Sequence, residues 1–124
     1  MIETLHTESA PAAIGPYSQA KIVNGILYAS GQIAINPASG EVEAKTVEEQ
    51  TEQVCKNIGE ILKAAGSDFS KVIKTTCFLK NMSDFATFNT IYGKFFTSKP
   101  ARSCVAAAAL PKDVLVEVEI IAEV

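Results

Sequence analysis

The spacing of apolar residues changes along the chain, and each change marks an element. Two apolar runs, Tyr17–Val23 and Ile26–Ser30, flank Asn24-Gly25. An Asn-Gly pair in that setting predicts a tight hairpin, because both central residues must take positive φ. Asn36-Pro37 through Gly40 reads as a second turn. From Thr46 to Ala65 the period lengthens. Val47, Thr51, Val54, Cys55, Ile58, Ile61, Leu62 and Ala65 recur at three- and four-residue steps, as on one face of a helix. Thr46 with Glu49 forms a capping-box pattern, and Gly66 supplies the stop. Lys71–Leu79 is rich in β-formers and predicts a strand. Ser83 is placed to cap a second helix with the stripe Phe85, Phe88, Ile91, Tyr92, Phe95 and Phe96, ending at Lys99-Pro100. Two strands follow, Arg102–Ala109 and Leu115–Val124. This order predicts an α+β fold with two helices over one face of a single sheet.

The last strand separates the two faces of that sheet. Val116, Val118, Ile120, Ala122 and Val124 are all apolar, whereas the odd positions carry Leu115, Glu117, Glu119, Ile121 and Glu123. Alternation therefore turns the even set toward the helices and the odd set away. In the preceding strand Val105, Ala107 and Ala109 make the better core face, which leaves Arg102 and Cys104 with Ala106 and Ala108 on the other. Arg102, Cys104, Glu117 and Glu119 are then expected together on the helix-free side. Alternate glutamates are often a solvated face, but this one also carries Leu115, Ile121 and several alanines. A half-apolar face without helices of its own predicts self-association.

Composition narrows the chemistry. The 124 residues include 48% hydrophobic and 20% charged residues, as in an ordinary globular domain. No apolar run approaches a membrane span, and the first residues do not resemble an export signal. The net charge is −3, and ten lysines stand against one arginine, Arg102. That argues against nucleic acid, which needs a basic stripe. Three widely spaced cysteines, Cys55, Cys77 and Cys104, fit a reducing cytoplasm better than a disulfide framework. One histidine, His6, gives little basis for zinc or a His-based triad, and no nucleotide-binding motif is present. A lone arginine at the start of a half-buried strand is suited to a small carboxylate, which its two parallel donors can grip.

Several stretches are similar to one family. Pro100-Ala101-Arg102-Ser103-Cys104-Val105, followed by Leu110-Pro111-Lys112-Asp113, resembles the reactive-intermediate deaminases of the Rid (RidA, YjgF-like) family. So do Ala10 to Gln19 (APAAIGPYSQ), Ser30-Gly31-Gln32-Ile33, and Asp84-Phe85-Ala86 with Asn89. The resemblance runs in order over nearly the whole chain, as one domain spanning 1–124. The chain departs from the common pattern at Ala34, Ala106 and Ala109, none of them assigned to chemistry.

The resemblance implies a chorismate-mutase-like fold and a homotrimer, with three sheets around a central barrel and clefts between subunits. It also implies a cofactor-independent deaminase that hydrolyses 2-iminobutanoate and 2-iminopropanoate to 2-oxo acids and ammonia. An iminium carbon is already electrophilic, so the enzyme must only hold the carboxylate, orient a water and move protons. By resemblance, Arg102 would grip the carboxylate and Glu117 would handle protons. Ser30 and the Gly31 amide would assist binding, Tyr17 would flank the substrate, Cys104 would line the pocket, and Asn89 would come from across an interface. Structural readings compete with these roles: Cys104 as a small buried hydrophobe, Tyr17 as a hairpin aromatic, Ser30 and Gly31 as a strand end, Asn89 as a polar helix position. A small-carboxylate sensor or holdase without turnover, and an RNA- or translation-directed protein, are the alternative functions.

Overall fold

The computed structural model describes residues 1–124. Its strands are β1 (Glu3–Leu5), β2 (Ala20–Val23), β3 (Ile26–Ala29), β4 (Ile35–Asn36), β5 (Glu41–Val42), β6 (Val72–Leu79), β7 (Ala101–Ala106) and β8 (Val116–Glu123). Its helices are α1 (Val47–Ala64) and α2 (Phe85–Phe95). Six strands form one sheet in the order β1-β2-β3-β8-β6-β7, while β4 and β5 make a small separate hairpin. Only β6 and β7 run parallel. They are joined through α2, the kind of crossover that parallel neighbours require.

Local chemistry explains the elements. Asn24 and Gly25 take φ of 52° and 77°, as the hairpin between β2 and β3 demands. Thr46 caps α1 by accepting a hydrogen bond from the Glu49 amide at 3.2 Å, and the Glu49 carboxylate accepts one from the Thr46 hydroxyl at 2.9 Å. Gly66, with φ of 74°, ends it. The buried stripe of α1 includes Val54, Cys55, Ile58, Ile61 and Leu62. It packs on Val116, Val118, Ile120 and Ala122 of β8, all buried, so the alternation of that strand has the predicted phase. Phe88, Tyr92 and Phe96 are the buried residues of the α2 stripe and its C-cap, and they join the same core.

Four expectations need correction. Tyr17–Gln19 lies outside any strand, and β7 stops at Ala106 rather than Ala109. Ser83 does not cap α2: it lies in a 3-10 turn, Met82–Asp84, and the N-cap is Asp84 without a side-chain hydrogen bond. Most consequential is the phase of β7. Parallel pairing sets Arg102 beside Thr75 and Cys104 beside Cys77, while antiparallel pairing sets Thr75 beside Ile120 and Cys77 beside Val118. Residues paired in register share a face. Arg102 and Cys104 therefore face the helices, and Val105, 48% exposed, faces away. Alternation misleads here because the alanines of β7 carry little signal, and because Val105, its largest aliphatic residue, stands on an edge strand where outward apolar positions cost little.

Candidate active site

The largest cavity, about 560 Å³, opens on the helix-free side of the molecule. Its walls include Pro11, Ala12, Ala13, Tyr17, Ser30, Gly31, Glu117 and Glu119. Glu117 projects from β8 on the face opposite Val116 and Val118. It is half-buried, and burial first, then the neighbouring Glu119 charge, raise its carboxyl above the ordinary value near 4.5. Gly31 leaves room for it: a β-carbon at that position would lie 2.9 Å from the Glu117 carboxyl carbon and closer still to an oxygen. Ser30 is fixed by two hydrogen bonds. Its amide donates to the Gln19 carbonyl at 2.9 Å and its hydroxyl to the Ser18 carbonyl at 2.6 Å. On the other side of Gly31, Gln32 exchanges backbone bonds with Val118 at 2.8 and 3.1 Å. Those bonds pin Gly31 beside Glu117. Tyr17 stands at the rim, 56% exposed.

A second cluster lies across the sheet. Arg102 Nη1 donates to Asn89 Oδ1 of α2 at 2.7 Å. The guanidinium carbon lies 4.9 Å from the Tyr92 ring centre and 5.4 Å from that of Phe85. Aromatic faces attract a cation and hold the planar group without consuming its donors. The Tyr92 hydroxyl is in turn anchored by Thr75 Oγ1 at 2.7 Å in the core. The Arg102 guanidinium makes only the one hydrogen bond, to Asn89, so most of its donors are available to an anion. Beside it is a smaller cavity of about 310 Å³ lined by Tyr92, Gly93, Phe96, Thr97, Lys99, Pro100 and Arg102. Cys104 is partly buried, and burial keeps its thiol raised even though Arg102 pulls it down. It is a neutral side chain rather than a thiolate nucleophile. Cys55 and Cys77 are buried and their thiols are also raised, Cys77 to about 12, first by desolvation.

The expected residues thus form two half-sites. Tyr17, Ser30, Gly31 and Glu117 converge on the large cavity, with Glu119 at its wall. Arg102 and Asn89 meet on the helix side, with Cys104 on the same face. Within one chain Arg102 and Glu117 occupy opposite faces of the sheet, contrary to the common face expected from alternation. The sequence marks Phe85 and Tyr92 only as members of the α2 apolar stripe, whereas in the structure they also seat Arg102. Gln19 closes the family-like stretch Ala10 to Gln19, but the sequence pattern alone gives it no role. No three His, Cys, Asp or Glu side chains come together in a way that would hold a metal ion.

Comparison with known proteins places these features in context. The family model described as endoribonuclease L-PSP matches residues 7–124. A Lactococcus lactis protein whose name designates it a regulator, AldR, is 63% identical over 124 residues, covering 99% of this chain and 98% of that one. Human 2-iminobutanoate/2-iminopropanoate deaminase is 50% identical over 119 residues, covering 95% of this chain and 87% of its own. A Yersinia pestis protein of the conserved Rid family, YyfA, superposes with a TM-score of 0.97 at 49% identity, with both chains fully covered.

Proposed function

The chain belongs to the endoribonuclease L-PSP family, which includes the Rid proteins, and from that premise we propose that it hydrolyses short 2-imino acids to 2-oxo acids and ammonia. The observation that carries the reading is a complementary pair. A raised, half-buried carboxyl stands in one open cavity, and a guanidinium with free donors is seated on aromatic rings at the sheet edge. Neither half suffices alone. The proposed active site is completed where a second copy docks, bringing the Arg102 edge of one chain to the Glu117 cavity of the next. A homotrimer with a central barrel is the proposed assembly. The helix-free face supports it, because Tyr28 and Val105 are each 48% exposed there and Phe78 and Ile121 add partly buried apolar area.

The chemistry follows from these groups. Arg102 takes the substrate carboxylate through a paired, charge-assisted contact, while Asn89 fixes the guanidinium plane. The Gly31 amide offers a further donor. The ionised Glu117 removes a proton from a water as its oxygen attacks the iminium carbon. The carbinolamine then takes that proton on nitrogen from Glu117. As the C–N bond breaks, Glu117 accepts the hydroxyl proton, leaving a 2-oxo acid and ammonia, which leaves as ammonium with that proton. A carboxyl held above its ordinary value is suited to this exchange, since one group must both accept and return the proton near neutrality.

The test is ammonia release from 2-iminobutanoate generated in situ by a threonine dehydratase. The expected result is acceleration by the wild-type protein. Arg102→Ala should lose it by about two orders of magnitude or more while remaining folded. Equal rates with and without the wild-type protein would overturn the reading.

The relative named a regulator supports a second reading, in which the same cleft senses a small carboxylate without turnover. Binding of 2-oxobutanoate without any steady-state acceleration would select it. A nucleic-acid function finds less support. The net charge is −3, and the sole arginine is engaged with α2 rather than presented on a basic stripe.

A further inference from the structure

We infer that Gln19 is a positioning residue whose side-chain amide clamps the segment Thr7–Pro11 and so holds Pro11–Ala13 as a wall of the Glu117 cavity. The inference rests on the function proposed above for that cavity.

Residues 7–14 form no helix or strand, yet three of them line the cavity. Their hydrogen bonds to the rest of the chain all end on one side chain. Gln19 Oε1 accepts from the Thr7 amide at 2.7 Å. Gln19 Nε2 donates to the Thr7 carbonyl at 2.9 Å and to the Pro11 carbonyl at 2.8 Å, with a longer contact to the Ala10 carbonyl at 3.4 Å. The pattern of one amide hydrogen and several carbonyls fits a primary amide and no other side chain of this length. Glutamate would set a carboxylate oxygen against carbonyl oxygens, and methionine would leave every one of these groups without its partner. Gln19 is 2% exposed, so water cannot readily replace those bonds. Apolar anchorage of the segment is slight: Ala10 alone among residues 7–14 belongs to the core cluster, and Ile14 beyond it is 88% exposed.

Gln19 also reaches the opposite wall. Its carbonyl accepts the Ser30 amide, and the preceding carbonyl, that of Ser18, accepts the Ser30 hydroxyl. One dipeptide therefore ties the loop wall and the Ser30–Gly31 wall to a common point. The consequence is a fixed spacing between the two sides of the cavity.

The experiment compares the full-length wild type with Gln19→Met, which keeps length and volume but removes donor and acceptor. Amide hydrogen exchange is followed in residues 7–14 and in the core strands, and 2-oxobutanoate binding is titrated alongside KM and kcat. The expected result is exchange about tenfold or more faster in residues 7–14, with β6 and β8 amides unchanged. The Kd for 2-oxobutanoate and KM should rise about fivefold or more, with a smaller change in kcat. Gln19→Glu keeps the acceptor for the Thr7 amide but turns a buried carboxylate oxygen on the Thr7 and Pro11 carbonyls, and should loosen residues 7–14 at least as much as Gln19→Met. Unaltered exchange in residues 7–14 would overturn the clamp. So would equal acceleration of the core amides, which would mark Gln19 as a general fold residue, or loosened exchange with unchanged Kd and KM. A wild type that neither turns over 2-iminobutanoate nor binds 2-oxobutanoate would overturn the proposed function instead, and the exchange arm would still decide the clamp.

Discussion

Gly31 and Glu117 are coupled by space, because the missing side chain of one is occupied by the carboxyl of the other. Gly31→Ala should displace that carboxyl rather than unfold the chain, since the obstructing atoms are the end of a side chain and not backbone. On the proposed function, kcat/KM should fall at least about tenfold, with cooperative melting retained. Paired kinetics and thermal unfolding check both halves of that expectation. Glu119 acts on the same carboxyl through charge. Burial is the larger cause of the raised Glu117 value and Glu119 the smaller, so Glu119→Gln should lower it in part. Glu117 must be ionised to accept the first proton, so activity falls as pH drops through its folded value. The acid limb of kcat/KM should therefore move to lower pH in Glu119→Gln and keep its shape. A limb that moves up, or stays in place, would remove Glu119 as the charge acting on it.

Strand β7 shows how an element can be recognised and still be set in the wrong phase. Its existence is legible from Arg102 to Ala106, and so are α1, the Asn24-Gly25 hairpin and β8, because periodicity or turn chemistry marks each one. Its facing direction is not legible. In β8 four buried aliphatics alternate with three glutamates and Ile121, so the phase is over-determined. In β7 the contest is between Val105 and alanines on one side and Arg102 with Cys104 on the other. An arginine that stacks on aromatics behaves as a core-facing residue despite its charge. Half of the candidate site was legible for the same reason. Glu117 inherits the clear phase of β8, whereas Arg102 depends on a parallel register that only the tertiary fold sets. Tyr92 is the test of the Arg102 seat at this scale. Tyr92→Phe keeps the ring but leaves the buried Thr75 hydroxyl only the weak Cys77 thiol contact at 3.7 Å, and should cost about 1–3 kcal/mol in urea unfolding with KM little changed. Tyr92→Leu should be destabilising too, but should also raise KM, because the guanidinium loses an aromatic support.

At the scale of the whole molecule, the separation of Arg102 and Glu117 by the thickness of the sheet is the decisive geometry. If they work on one substrate, they must come from different copies. Two inactive variants should then complement one another. Arg102→Ala chains retain Glu117, and Glu117→Gln chains retain Arg102. After joint unfolding and refolding at equal amounts, random assembly gives about a quarter of the interfaces one intact half from each chain. Activity should return to about that fraction of wild type, while either variant refolded alone stays inactive and a mixture prepared without unfolding regains less. Light scattering on each sample should report one oligomeric mass throughout, a trimer under the proposed assembly. Oligomers of that mass with no recovered activity would mean that the two groups do not serve a shared cleft. A monomeric mass at micromolar concentration would leave the Arg102 edge and the Glu117 cavity with nothing to join them.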